Sequence, residues 1–170
     1  QRTDAYGGGV DNRARLLLEV VAAVCQVWDA ARVAVRLSPI QPFNDMRDSD
    51  PRGTFSRVVE LLGRFDLAYL HLTELGKDAP GAAGPHFDPL ELRDLWRGVL
   101  MTNAGYDRAS ANAVLAAGRA DLVAFGALFI ANPDLPARFR AGASLNTPDP
   151  ATFYGGGAEG YTDYPSLDAV

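Results

Sequence analysis

The chain carries two glycine turns at corresponding places, TNAGY at residues 102–106 and AFGAL at residues 124–128. Each turn follows a short apolar run that predicts a buried strand, over residues 99–102 and 122–125. A glycine beyond the carboxyl end of a strand lets a backbone N–H approach a ligand closely, because no Cβ stands in the way. Two such turns on consecutive strands, with a short helix after the second, are typical of the phosphate-binding face of a (β/α)8 barrel. The pattern therefore predicts a phosphate-bearing cofactor or substrate near Gly105 and Gly126.

The same alternation of strand and helix runs through most of the chain. Strands are predicted over residues 33–38, 67–72, 99–102 and 122–125, and helices over 11–28, 55–62, 88–97, 108–117 and 134–141. Asp11 and Asn132 are predicted helix N-caps, and Gly142 is the predicted stop of the last helix. Strands alternating with helices predict parallel βα units joined by right-handed crossovers, in a single domain over residues 1–170.

Four βα units are half of an eightfold barrel. The chain has 170 residues, whereas a complete barrel typically needs about 250. Half a barrel leaves two sheet edges and much of its apolar interior uncovered. We therefore expect an α/β half-barrel whose remaining strands come from a second polypeptide, with a small open sheet that closes itself differently as the alternative.

Composition excludes several classes of function. A formal net charge of −5 without basic runs argues against nucleic-acid binding. No stretch approaches the roughly 20 apolar residues of a membrane span. The single cysteine forms no intrachain disulfide, the two histidines lack metal-ligand spacing, and the acidic residues at 45, 48 and 50 lack the glycine and distal glutamate of a calcium loop. These features predict a cytoplasmic protein without a metal site, and the start at Gln1 suggests a processed, split or trimmed polypeptide.

Two strand residues and an aromatic tail are the other candidates. Arg36 lies within an apolar run, where a charge needs a partner; it either points into a site to stabilise negative charge or pairs with a carboxylate such as Glu74. His71 also lies within a predicted strand, where a hydrogen-bonded scaffold role is favoured over catalysis. The tail around Phe153 and Tyr154 either packs over a barrel mouth or lines a pocket.

Several segments together carry a family resemblance. They are QRTDAYGG at 1–8, DNRAR at 11–15, VRLSP at 35–39, FG at 125–126, IANPDL at 130–135, TFY at 152–154 and GYTDYP at 160–165. In this order and spacing they resemble the old yellow enzyme family of FMN-dependent ene-reductases. The resemblance runs nearly end to end, yet it covers only the C-terminal half of a family member, which is the second half of a (β/α)8 TIM barrel.

The resemblance implies a chemistry and a partner. It implies FMN as cofactor, NADPH or NADH as hydride donor, and an activated alkene, an α,β-unsaturated carbonyl or nitro compound, as substrate. The family's substrate-anchoring pair and proton-donating tyrosine precede the segment that this chain matches. No catalytic residue is therefore expected in the chain, which is expected to be inactive without a polypeptide carrying the N-terminal half of the barrel.

The resemblance also assigns binding roles. Cofactor contacts are implied for Arg36 at the flavin pyrimidine edge, for the backbone of Ala104, Gly105, Gly126 and Ala127 at the FMN phosphate, and for Phe153 beside the flavin; substrate contacts are implied for Phe43 and Tyr154. The family usually has arginine where this chain has Ala127. Losing that charge-assisted contact weakens FMN binding by roughly 1.5–3 kcal/mol, so an Ala127→Arg variant is expected to bind FMN more tightly.

Two other functions remain open at this stage. A half-barrel that pairs with itself would bind a phosphate-bearing ligand without catalysis. A fragment of a non-flavin barrel enzyme would instead act on sugar phosphates. The flavin absorption band and the mass of the assembly discriminate among these functions.

Overall fold

A sheet of four short parallel strands organises the chain. In the computed structural model, which describes residues 2–42, 46–76 and 86–167, the strands are β1 Ala34–Leu37, β2 Tyr69–Thr73, β3 Leu100–Asn103 and β4 Leu122–Val123. They lie in the order β1-β2-β3-β4, and every neighbouring pair is parallel. The four predicted strands and their parallel arrangement are confirmed, with ends shifted by one or two residues.

Helices connect and follow the strands. They are α1 Val10–Val27, α2 Pro51–Leu62, α3 Arg108–Ala116, α4 Ala127–Ala131 and α5 Leu135–Ala141, with 3-10 turns at Ala30–Arg32, Pro89–Asp94 and Pro150–Thr152. The predicted helix over 88–97 is thus only a 3-10 segment. The side chain of Asp88 caps it by accepting from the Leu90 N–H. The predicted short helix after the second glycine turn is confirmed as α4.

Two predicted N-caps are wrong. Gly9 is the N-cap of α1, and Asp11 lies within its first turn. The carboxylate of Asp11 instead accepts from Arg57 on α2, with Nε to Oδ1 at 2.7 Å. The N-cap of α5 is Asp134 rather than Asn132. The predicted stop at Gly142 is confirmed, because Gly142 adopts the left-handed conformation at φ 64°.

One face of the sheet is packed against the helices. The strand residues that point to it are Val35, Leu37, Leu70, Leu72 and Leu100, all buried. They form one core with Val59 and Leu62 of α2, Val21 of α1 and Val114 of α3. Alternation along a strand sends every second side chain to the same face. The helical stripes and the strand alternation therefore meet in a single apolar layer.

The opposite face of the sheet is much less covered. Arg36 on β1 is in register with His71 on β2, and His71 is in register with Met101 on β3. Arg36 is exposed, while His71 and Met101 are half-buried. Leu122 on β4, in register with Met101, is 42% exposed. We refer to this surface, built from Arg36, His71, Met101 and Leu122, as the open face.

The chain divides into two compact units, residues 1–124 and 125–170. The first contains the whole sheet with α1, α2 and α3. The second contains α4, α5 and the tail. The assignment of all 170 residues to a single domain stays a prediction.

Candidate functional site

Among the residues that the structure describes, no carboxylate pairs with Arg36 on the open face. Within the described residues it forms no ion pair, and the predicted alternative of a pair with Glu74 is wrong. Alternation explains why: His71 and Thr73 point to the open face, so Glu74 points to the helical side. There the Oε1 atom of Glu74 accepts hydrogen bonds from Thr102 and Tyr106. The guanidinium of Arg36 is therefore a positive charge on the open face that no described residue neutralises.

His71 is held by a neighbouring amide. Its Nε2 lies 3.0 Å from Oδ1 of Asn103, so the Nε2–H donates to that oxygen. Partial burial lowers the pKa of His71; the hydrogen bond to Asn103 opposes this, and the positive charge of Arg36 adds to the lowering. The imidazole is therefore neutral at pH 7 and does not compete with Arg36 as a cation. This geometry agrees with the scaffold role that the sequence favoured.

The turn after β3 has an unusual backbone. Ala104 has φ 137° and Gly105 has φ 67°. Positive φ is routine for glycine but strained for alanine, by about 1–3 kcal/mol. In the described part of the chain, the N–H groups of Ala104 and Gly105 have no protein acceptor. Two unpaired donors at the carboxyl end of a parallel strand suit an anion such as a phosphate.

The turn after β4 lies in the second unit. Gly126 has φ −100°, and a Cβ added there would meet nothing within 4 Å. Neither crowding by the described protein atoms nor a positive φ explains a glycine at this position. The N–H groups of Ala127 and Leu128 find no acceptor among the described residues. They are free to donate to a bound group.

A polar cluster behind the Ala104–Gly105 turn was not found from the sequence. The Oε1 atom of Glu74 accepts from Thr102 Oγ1 at 2.5 Å and from Tyr106 Oη at 2.5 Å. The backbone N–H of Glu74 donates to the Asn103 carbonyl at 3.1 Å, and Gln41 Nε2 donates to the backbone carbonyl of Glu74 at 2.5 Å. Burial and then the bond to Glu74 raise the pKa of Tyr106, which therefore stays a neutral donor. The sequence signal was a glutamate directly after a strand and a tyrosine within TNAGY.

The loop after β1 borders a cavity of about 440 Å³. Its lining includes Ile40, Pro42, Met46 and Phe55, so it is mainly apolar. Phe43, the predicted substrate contact in this loop, lies outside the described residues. Its assigned role stays a prediction.

The two aromatic residues predicted beside the flavin and the substrate lie in the second unit. The rings of Phe153 and Tyr154 meet edge to face, with centroids 6.3 Å apart. Tyr154 is 99% exposed and Phe153 is partly buried. Tyr154 therefore does not pack into the tail, which leaves its ring free to contact a ligand or another polypeptide.

Comparison with known proteins assigns this parallel-stranded chain to a family. Residues 1–146 match the NADH:flavin oxidoreductase / NADH oxidase family. The chain belongs to that family, and it is an old yellow enzyme-type flavoprotein chain with half of a (β/α)8 barrel. The predicted family and fold class are confirmed. Membership favours flavin chemistry over the sugar-phosphate alternative.

Individual relatives agree with this assignment. Putative 12-oxophytodienoate reductase 10 of Oryza sativa subsp. japonica is 46% identical, over 98% of this chain and 55% of that protein. A probable flavin mononucleotide-dependent alkene reductase of Leishmania infantum is 42% identical, over 98% of this chain and 45% of that protein.

Solved structures give the same picture. Morphinone reductase superposes with a TM-score of 0.89 at 46% identity, covering 99% of this chain and 45% of that one. The old yellow enzyme homologue from Zymomonas mobilis superposes with a TM-score of 0.91 at 37% identity, covering 97% of this chain and 47% of that one. The chain thus spans about half the length of the relatives that it matches.

Proposed function

We propose that this chain is the C-terminal half-barrel of an FMN-dependent ene-reductase that reduces activated C=C bonds with NADPH or NADH. Substrates would be α,β-unsaturated carbonyl or nitro compounds. The chain would supply phosphate contacts, the positive charge of Arg36 and part of the substrate pocket. The groups that anchor and protonate the substrate would come from a polypeptide carrying the N-terminal half, so the chain alone would be inactive.

The observation that carries this proposal is the combination of an exposed cation and two amides in the first unit for which the described residues supply no partner. Within those residues Arg36 has no carboxylate partner, and the amides of Ala104 and Gly105 have no protein acceptor. FMN has a dianionic phosphate and a ring that becomes electron-rich on reduction, so these residues fit it. Bound FMN would supply hydride transfer, while the protein orients and tunes it. The phosphate contacts assigned to the backbone of Gly126 and Ala127 stay a prediction.

Two surfaces with exposed apolar side chains support the need for a partner. The open face leaves Met101 and Leu122 incompletely covered. Helix α1 also carries exposed apolar side chains beside its buried residues, namely Leu16, Val20, Val24 and Val27, and the exposed Trp28 follows as its C-cap. We refer to this surface as the α1 stripe. In a barrel each helix packs against the helix before it and the helix after it. The preceding βα unit of a full barrel would cover the α1 stripe.

Reconstitution tests the proposal directly. The chain is expressed alone and together with the N-terminal half of a close relative, and each preparation is titrated with FMN and assayed for NADPH-dependent reduction of an activated enone. We expect yellow colour and turnover only from the pair. An Arg36→Gln variant of the pair is expected to retain assembly and lose most turnover, since it keeps the stem and removes the charge. Turnover by the isolated chain would refute the need for a partner.

Substitutions in the α1 stripe provide a second test of the proposed partner. A Val20→Glu variant is expected to fold normally, because Val20 is 51% exposed, but to lose assembly with the N-terminal half. Glu19→Ala, next to it on the same helix, is the matched control and is expected to assemble normally. Equal assembly of both variants would show that the α1 stripe is not part of the interface.

Self-association is the competing proposal, favoured by the same exposed surfaces. A second copy of the chain could cover the open face and the α1 stripe without supplying catalytic groups. The two proposals differ in mass and colour. A colourless homodimer that does not exchange with an N-terminal half would favour this alternative.

The Ala127→Arg variant tests the second glycine turn separately. If the phosphate lies near the N–H of residue 127, an added guanidinium is expected to tighten FMN binding by roughly 10–100-fold. Unchanged affinity would show that this side chain does not reach the phosphate.

In the described residues no helix is long and apolar enough to cross a membrane. A cytoplasmic location is also part of the proposal.

A further inference from the structure

We infer that Glu74 is a positioning residue that holds the Ala104–Gly105 turn in its phosphate-binding conformation. This inference rests on the proposed binding of FMN and names a group that acts through the turn rather than on the cofactor itself.

Glu74 contacts the chain on both sides of the turn. Before the turn, its side chain accepts from Thr102 Oγ1 at 2.5 Å and its N–H donates to the Asn103 carbonyl at 3.1 Å. After the turn, the same Oε1 atom accepts from Tyr106 Oη at 2.5 Å. A single oxygen therefore fixes the spacing between residues 102 and 106, with Ala104 and Gly105 between them.

The fixed spacing accounts for the strained alanine. A residue at φ 137° keeps that conformation only where its surroundings determine it. Thr102 is fully buried and Tyr106 packs against the apolar core, so neither anchor is free to follow the turn if it relaxes. Glu74 is in turn held from the other side by Gln41, whose Nε2 donates to its carbonyl at 2.5 Å.

The carboxylate of Glu74 is occupied by protein donors. It lies on the helical side of the sheet, where Thr102 and Tyr106 donate to it, while the amides of Ala104 and Gly105 have no acceptor among the described residues. Losing the carboxylate would leave the turn free to adopt an unstrained backbone. The two N–H groups would then no longer be held in their present arrangement, and binding of the phosphate would weaken while contacts to the flavin ring remained.

The test compares FMN with riboflavin, which lacks the phosphate, on the chain paired with the N-terminal half of a close relative. Glu74→Ala is expected to lower FMN affinity about tenfold or more, the equivalent of one lost charge-assisted hydrogen bond, with riboflavin affinity unchanged. Glu74→Gln keeps an acceptor oxygen and is expected to restore FMN affinity to within about threefold. Glu19→Ala, which removes another carboxylate that accepts from a tyrosine hydroxyl, is the matched control and is expected to change neither affinity.

The outcomes separate the two claims. Equal losses for FMN and riboflavin, or no loss for FMN, would overturn the role of Glu74 and leave the proposed function intact. A wild-type pair that binds neither flavin would overturn the proposed function and this inference with it. If Glu74→Ala does not fold, Tyr106→Phe decides, since it removes one anchor of the turn; a loss confined to FMN supports the inference, and any other result overturns it.

Discussion

The two units of the chain are stabilised in different ways. In the described residues of the first unit, the fully buried strand side chains are mostly leucines, such as Leu70, Leu72 and Leu100. In the second unit, Asn132 and Arg138 are buried alongside the apolar Ala131 and Leu135. Apolar packing is non-directional, whereas hydrogen bonds to backbone groups fix orientation. The first unit is therefore specified by periodicity and the second by particular polar residues.

The polar network of the second unit ties the tail to α5. Arg138 donates to Asp134 Oδ1 at 2.6 Å, to the Ser144 carbonyl at 2.8 Å and to the Pro165 carbonyl at 2.7 Å. Asp134 Oδ2 also accepts from the Leu167 N–H at 2.8 Å. One buried guanidinium thus connects residues far apart in the sequence, and its loss affects all of them together.

The largest loss of stability is expected from a substitution that creates a cavity in the first unit. Leu72→Ala removes a β2 side chain with no exposed surface, which typically costs about 3–5 kcal/mol of the free energy of unfolding. Leu122→Ala, on the 42% exposed leucine of the same sheet, is the matched control and is expected to cost about 1 kcal/mol or less. Urea unfolding measures both, and similar losses would show that the apolar layer is not the main source of stability.

A somewhat smaller loss of stability is expected when the buried arginine of the second unit is removed. Arg138→Ala removes the hydrogen bonds that Arg138 donates to one carboxylate oxygen and two carbonyl groups, at a cost of about 2–3 kcal/mol. Hydrogen exchange should show the loss in residues 135–167, with the strands of the first unit protected as before. Arg140→Ala, on the exposed side of the same helix, is expected to stay within about 0.5 kcal/mol of wild type. A loss of protection spread evenly over both units would contradict this division.

The same contrast explains what the sequence could predict. Strands and long helices of the first unit follow from apolar periodicity, which is a local property, and all four strands were predicted. The segment 88–97 was predicted as a helix, but only Pro89–Asp94 forms a 3-10 turn. Asp11 and Asn132 were assigned as caps because those residue types favour caps. Their side chains instead accept hydrogen bonds from residues distant in sequence. Arg57 donates to Asp11, and the Asn146 backbone N–H donates to Asn132 Oδ1 at 2.7 Å.

The candidate site shows a similar limit. Gly105 was predicted from its place after a strand, and its positive φ agrees. The choice between two roles for Arg36 could not be made, because it depends on which face Glu74 points to. The cluster around Glu74 joins residues 28 and 32 positions apart. No local sequence pattern predicts such contacts, because only the topology of the chain brings these residues together.

A helix cap in the first unit measures how much its stability depends on a local hydrogen bond. The side chain of Asp107 accepts from the Ser110 N–H at 2.8 Å, and Ser110 Oγ accepts from the Asp107 N–H at 3.0 Å. Asp107→Ala is expected to cost about 1 kcal/mol, less than Leu72→Ala. Asn112→Ala, at an exposed position of the same helix, is the control and is expected to be neutral or slightly stabilising. A cost above that of the leucine variant would invert the order proposed for this unit.

The smallest expected effect is a change in stability with pH, which differs between the two units. The pKa of His71 is lowered in the folded first unit, mainly by burial, so the unfolded chain binds its proton first. The free energy of unfolding therefore falls as pH drops below the ordinary histidine value of about 6.5, by less than the one-proton limit of about 1.4 kcal/mol per pH unit. In the second unit, the bond from Arg138 lowers the pKa of Asp134. That stabilisation is present above the ordinary aspartate value of about 3.9 and is lost as pH falls below it. Hydrogen exchange between pH 7.5 and 5 should thus show destabilisation in β1, β2 and β3 but not in α5, and His71→Gln should remove it. An unchanged slope in that variant would assign the effect to another group.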